Sequence, residues 1–551
     1  MQEAKTIYKR QEYQEYNKNT RRKMESILYE LSIKEISRVL SLLDKNRLSP
    51  TYGSFDRNFW QYKIIDFPSG MAQCLTLSLA LVYSNPYNKN NQYYQNPLIR
   101  EYIIAGIRYL EKCSHKDGSC DEFYPYERAL GAMSFSLYAV AESYKLLGLD
   151  DKSILDMLTL KADWIIKNVK ADGIANHMLG AALAVAKVGE VTKNTNYYKN
   201  AKTLVEYATS TWVDEGWFYE YDGCDPGYST FSIDFMSKYY EITKDKTVLP
   251  YIEKSINFIS TIIATDGSIG GPIGSRNTWH FYLYGFEYMS KEFPIAKSIV
   301  QAGIKNFKAQ EFEYMNDDRY FFYYVNNNLQ TLNIYQKPGS IQELKDIATY
   351  YPKAGFYIKR SKGNCLIISL KKGGVIQLYK DNKLIFIDAG FIGKLGGKVV
   401  STQIIDSVKI KVEENKISIV GNFHKINYEY MNTYKLLVFR IVLSIIGRFW
   451  GIGHYIKKYL VKRLITRKNK SKIRYLKEIS IQNYSLNINT TILLPKDNKN
   501  LSALFTGTNF NCIQVPTSKY HHYSDFLEWA NLSNKLEELN KKRKVNIEVN
   551  I

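Results

Sequence analysis

Two short runs decide the fold: Asp172-Gly173-Ile174-Ala175-Asn176-His177-Met178-Leu179-Gly180, and Asp214-Glu215-Gly216-Trp217-Phe218-Tyr219-Glu220-Tyr221 continuing to Asp225-Pro226-Gly227-Tyr228. Each is a turn feeding a helix. Asp172-Gly173 breaks what precedes it, and an apolar run from Met178 to Val188 follows at once. Asn176 and His177 therefore fall in a first helical turn, where unpaired N–H groups and the positive dipole end favour anions. Pro226-Gly227 repeats the arrangement and puts Tyr228 at the head of another helix.

Working outward, the chain from Ser69 to about Lys308 predicts helix after helix: 70–84, 97–112, 128–147, 152–169, 176–190, 197–211, 228–243, 248–264, 278–291 and 294–308. Acidic-glycine turns recur at Asp117-Gly118, Asp172-Gly173, Glu215-Gly216 and Asp266-Gly267, with glycines 55, 43 and 51 residues apart. That spacing is one helical hairpin each, and hairpins this large and irregular suit a closed (α/α) ring better than an open solenoid. If each such loop precedes an inner helix, all four gather at one mouth. They would bring together Tyr124, Glu127 and Arg128; Asn176 and His177; Trp217, Glu220, Asp225 and Tyr228; and Arg276, Asn277 and His280. Singly, each has a plain alternative: Asn176 as a helix cap, His177 as a core histidine, the others as ion pairs or packed rings.

Asn-His opening a helix, followed by an aromatic, Glu-containing loop that ends in Tyr, resembles the heparinase II/III and alginate lyase group of polysaccharide lyases. The resemblance runs loosely from about Asn58 to about Ser518. It implies an (α/α) toroid followed by a C-terminal antiparallel β-domain. It also implies β-elimination at a uronate, with Asn176 and His177 neutralising the carboxylate and Tyr228 moving the proton. His280, or His424 from the β-domain, would be the second acid/base. Arg57 or Arg128 could clamp the carboxylate. No cofactor and no metal site are expected.

The totals bound the reading further. At 551 residues the chain should hold two or more domains. A net charge of +21 favours an anionic partner, and 14% aromatic residues, with 46 Tyr, offer platforms for sugar rings. The six cysteines lack metal-ligand spacing, and Met1 to Thr6 leads into no apolar run. The expectation is a cytoplasmic protein with reduced thiols and no signal peptide. Residues 1–68 read as a helical arm with an apolar stripe through Leu28, Leu31, Ile36 and Val39, followed by an aromatic-charged stretch carrying Arg57 and Trp60 as candidate rim residues.

Beyond Tyr350 the period becomes two, with hairpin turns at Asp381-Asn382 and Glu414-Asn415. This predicts an antiparallel β-sandwich, giving four segments: arm 1–68, toroid 69–345, sandwich 346–522 and a charged terminal helix 523–551. The sandwich is interrupted by an insert at 434–477. No Asp or Glu lies between Glu429 and Glu478, while 13 Lys plus Arg do. Its front half is apolar but broken by Arg440 and Arg448, which argues against a spanning helix and for an amphipathic one on an anionic membrane surface. A helix docked on the toroid with a solvated basic tail is the alternative. Nucleic acid is not expected, since no binding module accompanies the charge.

The substrate so implied is an acidic polysaccharide or a lipid-linked glycan. A uronate C-5 epimerase would share the intermediate. A glycoside hydrolase would need opposed carboxylates, Glu127 with Asp225 or Glu220. A non-catalytic glycan-binding protein of polysaccharide assembly is the non-enzymatic reading.

Overall fold

The computed structural model of the chain describes residues 24–87, 91–169, 174–309, 320–335, 342–426, 431–449, 453, 455, 456, 459, 468–507 and 530–551. The first half is helical: α1 Glu35–Leu42, α2 Leu75–Ser84, α3 Pro97–Lys112, α4 Leu130–Leu146, α5 Lys152–Asn168, α6 Ala175–Thr192, α7 Asn196–Thr209, α8 Pro226–Thr243, α9 Leu249–Ile262, α10 Tyr284–Met289, α11 Ile295–Ala309 and α12 Phe322–Ile334.

Odd and even helices differ in composition, and this sorts them. α3 buries Ile99, Ile103, Ile107 and Leu110 as one stripe on an otherwise polar helix. In α6 nearly every position from Ala175 to Gly189 is Ala, Gly or aliphatic, and all but His177 are buried. A helix apolar on all sides must be surrounded. The even helices accordingly form an inner ring in which α2, α4, α6, α8, α10 and α12 each pack on the next and α12 returns to α2, with the odd helices outside. Leu28, Leu31, Ile36 and Val39 of the N-terminal segment join the same core.

The recurrent glycines have a packing reason. A Cβ on Gly267 would lie 2.2 Å from the Ala302 carbonyl oxygen of α11, and one on Gly216 2.5 Å from that of Lys254 in α9. Each loop before an inner helix thus presses its backbone on the next outer helix, which only glycine permits. Gly118 and Gly53 occupy equivalent places against α5 and α3. Asp172-Gly173 lies outside the described residues.

Two helical expectations change. α10 begins at Tyr284 rather than at 278, and side chains capture the backbone of that would-be first turn. Tyr282 N–H donates to Thr230 Oγ1, and Leu283 and Tyr284 N–H donate to Asn327 Oδ1 at 2.8 and 3.1 Å. α12, which closes the ring, forms where the sequence reads as transitional. Its inward face is polar: Asn326 accepts from Ser78 and donates to Cys74 O, Asn327 donates to Asp234, and Gln330 donates to the Tyr138 hydroxyl. A helix held by amides shows no apolar period.

The second half is two antiparallel sheets. β1 Ile347–Tyr351, β2 Phe356–Ser361, β3 Asn364–Ser369, β4 Val375–Lys380 and β5 Lys383–Asp388 form a five-stranded meander. β6 Phe391–Leu395, β7 Lys398–Ser401, β8 Lys409–Val412, β9 Lys416–Lys425, β10 Asn469–Gln482, β11 Ser485–Leu493, β12 Leu501–Thr506, β13 Ala530–Asn531 and β14 Lys544–Asn550 form a nine-stranded one. Tyr357, Leu366, Ile368, Ile376 and Leu378 face the larger sheet and share a core with Ile417, Ile419, Ile479 and Ile488. The alternate residues Phe356, Ile358, Cys365, Ile367 and Tyr379 join the helical core. The small sheet is covered on both faces, which is why its strands read as continuous apolar runs. Arg360 ties it to the ring, donating to Ser260 O and Ile263 O at the end of α9.

Inside the expected insert 434–477 the helix α13 spans Thr433–Ile445, but residues from Asn469 belong to β10, whose side chains alternate buried and exposed. Basic residues on the solvent face hide that alternation. Likewise the expected terminal helix is α14 Ser533–Lys542 followed by β14, with Val545, Ile547 and Val549 paired to β11. The five described cysteines are unpaired.

Candidate active site

Inner helices joined through antiparallel outer ones start at the same end of the ring, so the loops before α4, α6, α8 and α10 share one mouth. Asp225 caps α8, accepting from Tyr228 N–H at 3.1 Å, with Pro226 at the first helical position. Its other oxygen accepts Arg276 N–H at 2.8 Å, while Thr278 Oγ1 donates to the capping oxygen. Asp225 is therefore a joint between two loops. Ser275 completes the joint, donating from its backbone to Cys224 O at 2.9 Å and from its hydroxyl to Glu220 O at 3.1 Å.

Glu220 then meets α6. Its Oε1 accepts Asn176 N–H at 2.8 Å, and its Oε2 accepts Asn176 Nδ2 at 2.9 Å. Burial, with the nearby Asp225, pushes the Glu220 carboxyl up to about 8, against the opposing pull of the Asn176 bonds and His177. His177, one residue on, is half-buried and edge-on to Phe135 at 6.2 Å.

Tyr228 is buried, its ring 5.4 Å from that of His280 and 6.2 Å from that of Tyr221. Burial drives its phenol well above the ordinary tyrosine range, and Arg276 acts the other way. The Arg276 guanidinium lies 4.3 Å over the Tyr221 ring. Although Arg276 is 93% buried, its Nε has no hydrogen-bond partner among the described residues. An unpartnered guanidinium N–H in a polar mouth suits an incoming carboxylate, although Asp222 is close enough to feel the same charge.

Asn176, His177, Glu220, Tyr228 and Arg276 are thus brought together. Other expected site residues serve elsewhere. His280 is buried, its Nδ1 3.1 Å from both the Tyr282 and Tyr324 hydroxyls, and burial drops it to about 3, so it is a neutral support beneath Tyr228. Trp217 is a buried hairpin residue donating to Glu215. Trp60 donates to Leu42 O and Arg57 to Gln61 and Tyr62, so both bind the N-terminal arm. Glu127 accepts Phe123 N–H. Arg128 donates to Gly447 O and Arg448 O, and Tyr124 packs on Phe439, so these two hold the end of α13. Asn277 accepts from Lys372. His424 Nε2 lies 3.2 Å from Asp406 in the sandwich.

Sequence reasoning missed Tyr221 and Lys372. The buried Lys372, from the turn between β3 and β4, donates to Pro272 O at 2.8 Å, to Gly274 O at 2.5 Å and to Asn277, fixing the loop that carries Arg276. Nothing local to Lys372 marks it, since its partners lie 95 to 100 residues away. Below the mouth, a cavity of about 40 Å³ on the ring axis is lined by Phe135, Phe231, Tyr282 and Tyr323. It is water-sized.

No protein-family model matches the sequence, and no curated protein matches it either. Solved structures do match in fold. Chondroitin AC lyase from Streptomyces coelicolor A3, solved with chondroitin sulphate, aligns at 8% identity over 90% of this chain and 71% of its own, TM-score 0.53. Xanthan lyase from Paenibacillus aligns at 9% identity over 90% of this chain and 49% of its own, TM-score 0.50. Cellobiose 2-epimerase from Spirochaeta thermophila DSM 6192 aligns at 12% identity over 57% of this chain and 97% of its own, TM-score 0.42. The class is therefore that of an (α/α) toroid followed by antiparallel sheets, the architecture seen in the two polysaccharide lyases.

Proposed function

We propose that this chain is a polysaccharide lyase of the heparinase II/III-like kind, cleaving an acidic, uronate-containing glycan by β-elimination. The observation that carries the reading is Arg276, a buried guanidinium whose Nε has no hydrogen-bond partner among the described residues, stacked on Tyr221 and in electrostatic reach of Tyr228. Loss of the C-5 proton is difficult because the adjacent carboxylate is already negative, so the enzyme must first neutralise it. Arg276 does this, helped by the second amide hydrogen of Asn176, whose other faces Glu220.

Burial keeps Tyr228 a phenol at neutral pH, which suits a proton donor better than a resting base. His177, the half-buried imidazole of the set, then takes the C-5 proton. The C–H electrons pass onto the carboxylate as an enolate-like intermediate held by Arg276, then return to form the C4–C5 double bond as the C4–O bond breaks and Tyr228 gives its proton to the leaving oxygen. The phenolate left behind faces Arg276, and solvent returns its proton while His177 releases one.

A C-5 epimerase would share proton removal and the intermediate but return a proton to C-5 from the opposite face, leaving the C4–O bond intact. The hydrolase pair is weaker, because Asp225 is spent on three donors and Glu127 on a backbone N–H. A lipid-linked glycan as substrate, and a cytoplasmic location, belong to the same proposal. The test is a panel of uronate-containing polysaccharides followed by ultraviolet absorbance. Wild type should generate an unsaturated uronate and Arg276→Ala should not. Tight glycan binding without turnover would make the chain a binding protein instead.

A further inference from the structure

Helix α13 is turned inside out. Leu443 is its only buried residue at 1% exposure, with Phe439, Arg440 and Val442 partly covered. That inward side already makes contacts, although Leu436 on the same side stays 44% exposed. Arg440 lies 3.3 Å from Asp66 and over the Phe67 ring, Phe439 packs on Tyr124, and Arg128 caps the carbonyls of Gly447 and Arg448. The opposite face carries Tyr434, Leu437, Val438, Ile441 and Ile445, within about 60° either side of one line at 100° per residue, and Phe449 follows just past the helix end. They are exposed at 81, 57, 61, 50, 65 and 67% respectively. A docked helix in water should turn such residues inward. Here the inward face is small and the apolar stripe is left over.

We infer that the α13 stripe, with the basic residues around it, seats this protein on an anionic lipid surface. At 13 residues α13 lies along a bilayer, and no helix among the described residues is long and apolar enough to cross one. The charge selects this occupant. No acid occurs between Glu429 and Glu478 in sequence, and exposed Lys435 and Arg448 flank the stripe. A second copy meeting this face about a two-fold axis would set cations against cations, which disfavours association. A surface of anionic headgroups over hydrocarbon satisfies both the stripe and the charge.

α13 is held by Tyr124 and Arg128, which belong to the loop before α4, one of the loops at the ring mouth. Seating it would bring that mouth to the membrane, within reach of a glycan attached to lipid. This last step rests on the lyase reading; the membrane contact does not.

The experiment is co-sedimentation of the full chain with vesicles of phosphatidylcholine alone and with phosphatidylglycerol added, without glycan. Wild type should sediment with the anionic vesicles, less as salt rises, and little with the neutral ones. Ile441→Glu/Ile445→Glu should weaken anionic-vesicle binding by about tenfold or more, losing two apolar anchors and adding two repelled charges. Both positions are exposed, so the melting temperature should stay put and certify the fold. Equal binding to the two vesicle types, or an unaffected variant, overturns the inference. So does a soluble dimer split by the same substitutions without vesicle binding, which would make the stripe a contact between copies. Turnover of soluble glycan by the variant, measured without vesicles, reports on the lyase reading separately.

Discussion

Glu220 offers a sharp physical test, because its carboxyl is buried against Asn176 rather than a cation. Glu220→Gln keeps the shape and removes the titration. In the folded chain the carboxyl is raised from 4.5 to about 8 by burial. Between those values the unfolded chain has released the proton and the folded chain still holds it, so stability must fall as pH rises and level off above about 8. The span is roughly 3.5 pH units at about 1.4 kcal/mol each, a ceiling of about 5 kcal/mol. The variant lacks this slope. Denaturant unfolding at steps from pH 5 to 8 should show the wild-type advantage over Glu220→Gln shrinking by about 1.4 kcal/mol per pH unit at most. His280, lowered to about 3, acts oppositely, costing stability as pH falls below 6.5, but it is common to both proteins and cancels in the difference. Parallel pH profiles for the two would refute the placement of Glu220 as a buried, mostly protonated partner of Asn176.

Arg276→Ala should lower kcat/KM on a uronate substrate by about a hundredfold or more, since the carboxylate loses its charge partner, and Arg276→Lys should recover little because the paired N–H geometry is gone. Lys372→Met strands three acceptors and should cost about 2–4 kcal/mol in denaturant unfolding. It should also reduce kcat by loosening the Arg276 loop without removing any group that touches substrate.

Legibility varied with how local each cause was. α3 runs from Pro97 to Lys112, as expected, because its start is written in adjacent residues: Asn96 accepts Leu98 N–H and Pro97 takes the first helical position. The ring was readable from glycines whose neighbours are backbone. α12 was not, since Asn326 and Asn327 owe their place to Ser78, Cys74 and Asp234, far away in the chain. The start of α10 failed for the same reason, its N–H groups being claimed by Asn327. β10 was masked by basic residues on its outer face and β14 by Lys544, Asn546, Glu548 and Asn550 between its apolar residues, so the two read as a basic insert and a charged terminal helix.

The site divides likewise. Asn176, His177 and Tyr228 were visible because each sits just inside a helix marked by its own turn. That Asn176 answers to Glu220 is a contact across 44 residues, and sequence supplied both residues but not the bond. Tyr124 packs on Phe439 and Arg128 donates to Gly447 O and Arg448 O, long-range contacts that nothing near those two residues announces. Lys372 reaches the mouth from the other half of the chain and had no signal at all.

The most direct measurement follows a uronate oligosaccharide in heavy water with wild type, Tyr228→Phe and His177→Ala. Wild type should form the unsaturated product. Tyr228→Phe should lose product by roughly a hundredfold or more while still exchanging the C-5 hydrogen for deuterium, because the base remains and the leaving oxygen lacks its proton. His177→Ala should do neither. Product formation by Tyr228→Phe at the wild-type rate, or exchange undiminished in His177→Ala, would contradict the assignment of one shared site to these side chains.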